Sequence, residues 1–165
     1  MSHQSEKYSN VRLDDIDLKI LGILQNNARI TVKELASRVH LSATACFERW
    51  RRLERFGFIE RYVSVLSAEK LYGGLTAICA VKLLQPSMQH IKEFNNTVRL
   101  IPEVQECYQT SGQYDYLLKI YATDMRQYRD LLVNRLGTIG AIGTIDSSFV
   151  MDTVKDAIDI PTAQA

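Results

Sequence analysis

No apolar run in this 165-residue chain approaches the roughly 18 residues a membrane-spanning helix needs. The opening segment, MSHQSEKYSNVR, has no apolar stretch of signal-peptide type. It reads as a flexible arm over 1–12, on a cytoplasmic protein with no membrane partner. Cysteine is scarce: Cys46, Cys79 and Cys107 are far apart and form no CxxC pair. That argues against a disulfide framework and against zinc. His3, His40 and His90 cluster neither with each other nor with the cysteines, so no metal ligands are expected. G-x-S-x-G, P-loop and G-x-G-x-x-G patterns are all missing, so no catalytic residue and no cofactor is expected.

Net charge is also nearly missing, at +1, but its distribution is uneven. Residues 1–70 hold 12 Lys and Arg against 9 Asp and Glu, whereas residues 71–165 hold 8 against 10. Five arginines fall between Arg49 and Arg61, with only Glu54 and Glu60 among them. A local basic patch on a near-neutral chain is an electrostatic footprint of nucleic-acid binding.

The first half reads as three helices and a strand. Asp14 is placed to cap a helix carrying Ile16, Ile20, Ile23 and Leu24 at helical spacing. Thr31 and Glu34 form the pattern of a capping box, ahead of the stripe Val32, Leu35, Ala36 and Val39. After the short connection His40–Leu41, Ser42 caps a third helix. A short helix, a tight break and a longer helix is helix-turn-helix spacing. Gly57 then ends the third helix, and the alternation in 58–65 predicts a strand, a wing. The segment around Gly73–Gly74 predicts a linker over 67–74.

At 100° per residue, Cys46, Trp50 and Leu53 share one face of the third helix and predict packing there. The opposite strip carries Thr44, Glu48, Arg51, Arg52 and Arg55, flanked by Ala45 and Arg49. Two readings are open: a basic face that is merely solvated, or one that enters a major groove about 12 Å wide. The preceding capped helix and tight turn favour the second. Arginine can then bond guanine edges and phosphates.

The second half runs strand, helix, strand, strand, helix, strand over 75–165. It predicts an α+β fold, a ferredoxin-like βαββαβ unit with two helices on one face of an antiparallel sheet. The apolar content of the strands suggests that a second copy covers the other face. Gly112, Tyr114 and Asp115 fall at a hairpin, with Thr123 at the end of the following strand. They could hold a small polar ligand, or Asp115 could simply bond its own turn. Asp124 reads better as a helix cap than as an acid.

Three stretches, SATACFERWRRLERFGFIERY, QECYQTSGQYDYLLKIYATDMRQYRDLL and SSFVMDTVKD, resemble the leucine-responsive/asparagine-regulator (Lrp/AsnC) family of transcription regulators. The resemblance runs from about Leu13 to Pro161. It implies a helix-turn-helix DNA-binding domain over 13–66 and an amino-acid-sensing, oligomerising domain over 75–165. The implied partners are double-stranded DNA with a near-palindromic site, further copies of the chain in dimers and octamers, and an amino-acid effector. DNA contacts are expected from Ser42, Thr44, Ala45, Glu48, Arg49, Arg51 and Arg52. The resemblance places Gly112, Tyr114, Asp115 and Tyr116 in the effector loop, and Met125, Ser148, Phe149 and Val150 around it. Two departures stand out. The recognition helix opens SATAC where family members commonly carry two prolines, and Gln113 stands where an acid is common. An effector-independent DNA-packaging protein and a small-molecule enzyme remain as alternative readings.

Overall fold

A computed structural model describes residues 12–67, 70–71, 73–156 and 160–162. The expected arm (1–12) therefore lies outside the described residues except for Arg12, and the expected linker (67–74) is described only in part. The chain forms two compact units, Met1–Val65 with Asp156–Ala165, and Leu66–Lys155.

The first unit is built on α1 (Asp15–Asn26), α2 (Val32–Arg38) and α3 (Ala43–Arg55). Local side chains start each helix. Asp14 accepts from the Asp17 N–H at 2.8 Å, and the Asp17 carboxylate accepts from the Asp14 N–H at 3.2 Å. This reciprocal box sits on α1, not on α2 where the sequence suggested one. Thr31 does cap α2, but the Glu34 carboxylate turns forward to Arg38 at 2.6 Å. Ser42 caps α3 through the Ala45 N–H. Between α2 and α3 the backbone reverses at His40, which takes φ 57°, a conformation costly for a residue with a Cβ. Ile20, Leu24, Ile30, Leu35, Ala36, Val39, Cys46 and Leu53 form the core.

The expected wing does not form, and residues 58–67 carry no strand. Alternation is satisfied there, but a strand needs a partner, and the described residues of the first unit supply none. The segment is tied by side chains instead. The Trp50 indole N–H donates to the Tyr62 hydroxyl at 2.6 Å, and that hydroxyl donates to Glu54 at 2.9 Å. Trp50 is thus only partly buried, while Cys46 is fully so.

The end of the chain also departs from the expected 75–165 domain. Gln25 on α1 donates to the Ile160 carbonyl at 2.8 Å and accepts from its N–H at 3.0 Å. These bonds engage both the N–H and the carbonyl of Ile160, so that residue is held by the first unit.

The second unit contains β1 (Leu75–Leu83), α4 (Met88–Val98), β2 (Val104–Gln109), β3 (Tyr116–Ala122), α5 (Met125–Asn134) and β4 (Ile142–Phe149). The strands lie in the order β2-β3-β1-β4, all antiparallel, the expected ferredoxin-like arrangement. Ser87 and Asp124 cap the two helices. Alternate residues Ala77, Cys79, Val81, Leu118 and Ile120 face the helices and are buried. The opposite face carries Ile78, Leu117 and Tyr108, all exposed, beside Lys82, Lys119, Glu106 and Asp146. Among the described residues no helix is long and apolar enough to cross a membrane.

Candidate nucleic-acid interface and ligand site

The three prominent arginines of α3 do not share one environment. Asp17, the third residue of α1, is 0% exposed. Arg52 bonds its Oδ2, and Arg49 bonds its Oδ1 at 2.9 Å and Asp14 at 2.6 Å. Arg49 and Arg52 therefore lock α3 to the start of α1. The sequence reading placed Arg52 on the outward strip. The correction is one of reach, because a long side chain on a helix flank can swing round to a buried carboxylate.

Asp14 sits below the usual carboxylate value of 3.8. The Asp17 N–H is the main cause and the Arg49 guanidinium the next. A depressed folded value means stability that is present above pH 3.8 and lost as pH falls through the lower folded value. We expect the helical signal of the wild type to lose more melting temperature between pH 5 and pH 2.5 than Asp14→Asn does. Asparagine keeps the cap but does not titrate there. Identical losses in the two proteins would show that Asp14 carries none of the acid lability.

What α3 presents outward is a strip of Thr44, Ala45, Phe47, Glu48, Arg51 and Arg55, all exposed. Arg51 is 67% exposed and only loosely paired, at 3.5 Å from Glu54. Arg55 lies 5.7 Å over the Phe56 ring. The Ser42 hydroxyl is occupied as the cap, with the residue itself at the surface. Phe47 was missed by the sequence reading, although its wheel position beside Thr44 and Arg51 was available.

In the second unit, the β2–β3 hairpin turns at Gly112, which takes φ 128°. The Asp115 carboxylate does not bond its own turn, although the Asp115 carbonyl accepts from the Thr110 N–H there at 2.9 Å. The Asp115 Oδ2 accepts from the Leu83 N–H at 2.8 Å, beside Lys82 at 3.8 Å, where the β1–β4 register shifts. The Asp115 N–H donates to the Val81 carbonyl at 2.9 Å. Tyr114 donates its hydroxyl to Asp146 on β4. Tyr114 and Asp115 thus stand at the hairpin end of the sheet, the first reaching β4 and the second β1.

Tyr116 goes elsewhere. It is 1% exposed, with its ring 4.2 Å from Phe94 on the helix face. It lines a cavity of about 370 Å³ with Asn95, Arg99, Gln105 and Gln109. Its place in the alternation, with Leu118 and Ile120, explains why it is buried and not on the loop surface.

The remaining expected ligand residues gather at the opposite end. Met125 opens α5 and is exposed. Phe149 pairs with Ala77 and meets the Tyr128 ring edge-on at 5.1 Å. Ser148 lies on the open face opposite Ile78, and the Val150 N–H donates to the Thr76 carbonyl. Beneath them, Tyr128 donates to Ser147 at 2.6 Å and lies 3.1 Å from the Cys79 thiol. Burial pushes the Tyr128 hydroxyl up to about 12, so it stays a neutral donor. One chain thus brings Gly112, Tyr114 and Asp115 to one end of the sheet and Met125, Phe149 and Val150 to the other.

Two family models match the chain: an AsnC-type helix-turn-helix domain over residues 13–54 and an Lrp/AsnC ligand binding domain over 76–160. A leucine-responsive regulatory protein from Haemophilus influenzae is 39% identical over 91% of this chain and 90% of its own length. The transcriptional regulator AzlB of Bacillus subtilis is 34% identical over 92% and 96%. Among solved structures, a transcriptional regulator from Neisseria meningitidis in complex with L-Met superimposes with a TM-score of 0.87. It is 35% identical, over 91% of this chain and 97% of that one.

Proposed function

This chain belongs to the Lrp/AsnC family of transcription regulators, and from that premise we propose a two-protomer division of labour on DNA and on ligand. The protein is a DNA-binding regulator with an amino-acid-binding domain, not an enzyme. Each dimer sets two α3 helices in successive major grooves, ~34 Å apart, on a near-palindromic site. Thr44, Ala45, Glu48 and Arg51 meet the DNA directly. Arg49 and Arg52 act at one remove, fixing the pitch of α3 against α1. The open sheet face, with Ile78, Leu117 and Tyr108 exposed, packs on a second copy. Dimers assemble further, into octamers in this reading, and the protein works in the cytoplasm.

For the ligand, the carrying observation is the separation of the expected residues at opposite ends of one sheet. A site using Asp115 and Met125 together needs two chains. An amino acid bridging them favours one assembly by its differential affinity and so changes DNA binding. The L-Met complex of the Neisseria meningitidis relative supports an amino acid as the ligand class.

Calorimetric titration with L-methionine and L-leucine tests this. Asp115→Asn keeps an acceptor for the Leu83 N–H but removes the charge, and Met125→Ala trims an exposed side chain. Each variant alone should bind at least tenfold more weakly than the wild type. Co-expressed in equal amounts, they should regain about a quarter of the sites, because random pairing makes some interfaces from two unaltered halves. Full binding by either variant alone, or no recovery in the mixture, would sink the shared site.

A further inference from the structure

The exposed phenyl ring in the middle of the polar strip of α3 has no structural work to do. Phe47 is 45% exposed and stands apart from the core of the first unit, which closes on Cys46 and Leu53 instead. It shares its side of the helix with Thr44 and Arg51 and borders a shallow depression with Glu48, Arg51, Glu54 and Arg55. A large apolar group left in water among charged neighbours points to a surface that is covered in the working complex. The apolar feature that a major groove offers is the thymine methyl, which projects from the groove floor and distinguishes T·A from every other pair.

We propose that Phe47 is a specificity-determining residue that reads a thymine C5-methyl group in each half-site. The inference rests on the DNA-reading role of α3 given above, and adds to it an apolar contact that carries no charge. Arg51, about one turn along, can anchor the backbone or a guanine edge. Phe47 meanwhile excludes water from the neighbouring thymine and leaves the salt dependence of binding untouched, since it neutralises no phosphate.

The test uses the full-length protein and duplexes selected by the wild type from a random pool. Each conserved thymine is replaced, one at a time, by deoxyuridine, which removes only the methyl group. At one thymine per half-site the wild type should bind about fourfold more weakly, the ~0.8 kcal/mol of one buried methyl converted at 1.4 kcal/mol per tenfold. The variant Phe47→Ala should bind the thymine and deoxyuridine duplexes equally, with an unchanged salt slope and an unchanged melting temperature. Phe47→Leu should retain part of the discrimination. The proposal is overturned if no thymine-to-deoxyuridine exchange weakens the wild type, or if the same loss persists in Phe47→Ala. Failure of the wild type to enrich any sequence is a separate result, which removes the sequence-reading role of α3 itself.

Discussion

Arg52→Ala should lower the stability of the first unit by about 2 kcal/mol, which is roughly 10 °C of melting temperature for a unit of this size. The variant leaves Asp17 at 0% exposure with one of its two arginines gone. Removing one partner of a fully buried pair costs ~3–5 kcal/mol, because the other charge stays out of water. Two features reduce that figure here. Arg49 keeps its 2.9 Å contact to Asp17, and Arg52 is itself 36% exposed, so part of its attraction was already screened. The double variant Asp17→Asn/Arg52→Ala should recover part of the loss, since no buried charge remains to be paired, and the cycle isolates the coupling. Urea or thermal melts followed through the helical signal decide it. DNA titrations below the melting temperature of the variant add a second readout. There the slope of log affinity against log salt should match the wild type. A variant that melts like the wild type but has a shallower slope would return Arg52 to the DNA face.

Arg51→Ala should do the reverse. Its pair with Glu54 is exposed and stretched to 3.5 Å, so stability should move by no more than about 0.5 kcal/mol. Binding to DNA should weaken about tenfold at moderate salt, and the salt slope should fall by about one, as one phosphate loses its cation. Gel shifts at 50, 100 and 200 mM salt, on a selected duplex and on a random one, separate two modes of contact. Equal weakening on both duplexes identifies a phosphate contact. A larger loss on the selected duplex identifies a base contact. Unchanged affinity on both takes Arg51 out of the interface. Arg51 and Arg52 are chain neighbours of identical chemistry, and the two variants should still separate cleanly into a binding defect and a folding defect.

The sequence was most legible where causes were local. Asp14, Ser42, Ser87 and Asp124 each cap the helix they precede, because a cap needs only the next three residues. The apolar strand-like runs of the second unit, together with the helix pattern between them, were enough for the βαββαβ order. Alternation failed for 58–65 because it describes a strand's faces but not its neighbour. Arg52 was placed on the outward strip for a related reason, whereas Arg51 and Arg55 do lie on it. A helical wheel gives the angle at which a side chain leaves, and the direction in which Arg52 turns is decided by an acid 35 residues earlier. Tyr116 was assigned through the family's loop, while its own strand period already placed it with buried Leu118. Met125 and Asp115 could not be separated by any local rule, since the distance between them is set by the sheet as a whole.

The bonds from Gln25 to Ile160 place the first unit in a particular position during synthesis. Its three helices are translated before the sheet and can pair Asp17 with its arginines while the sheet is still being made. The partner of Gln25 is made 135 residues later, some seconds at ~5–20 residues per second. The DNA-reading unit is thus begun before the sheet and completed after it. Its bonds from Gln25 form only once residue 160 has been made, so a chain cut short before residue 160 carries a recognition helix in a unit that lacks them.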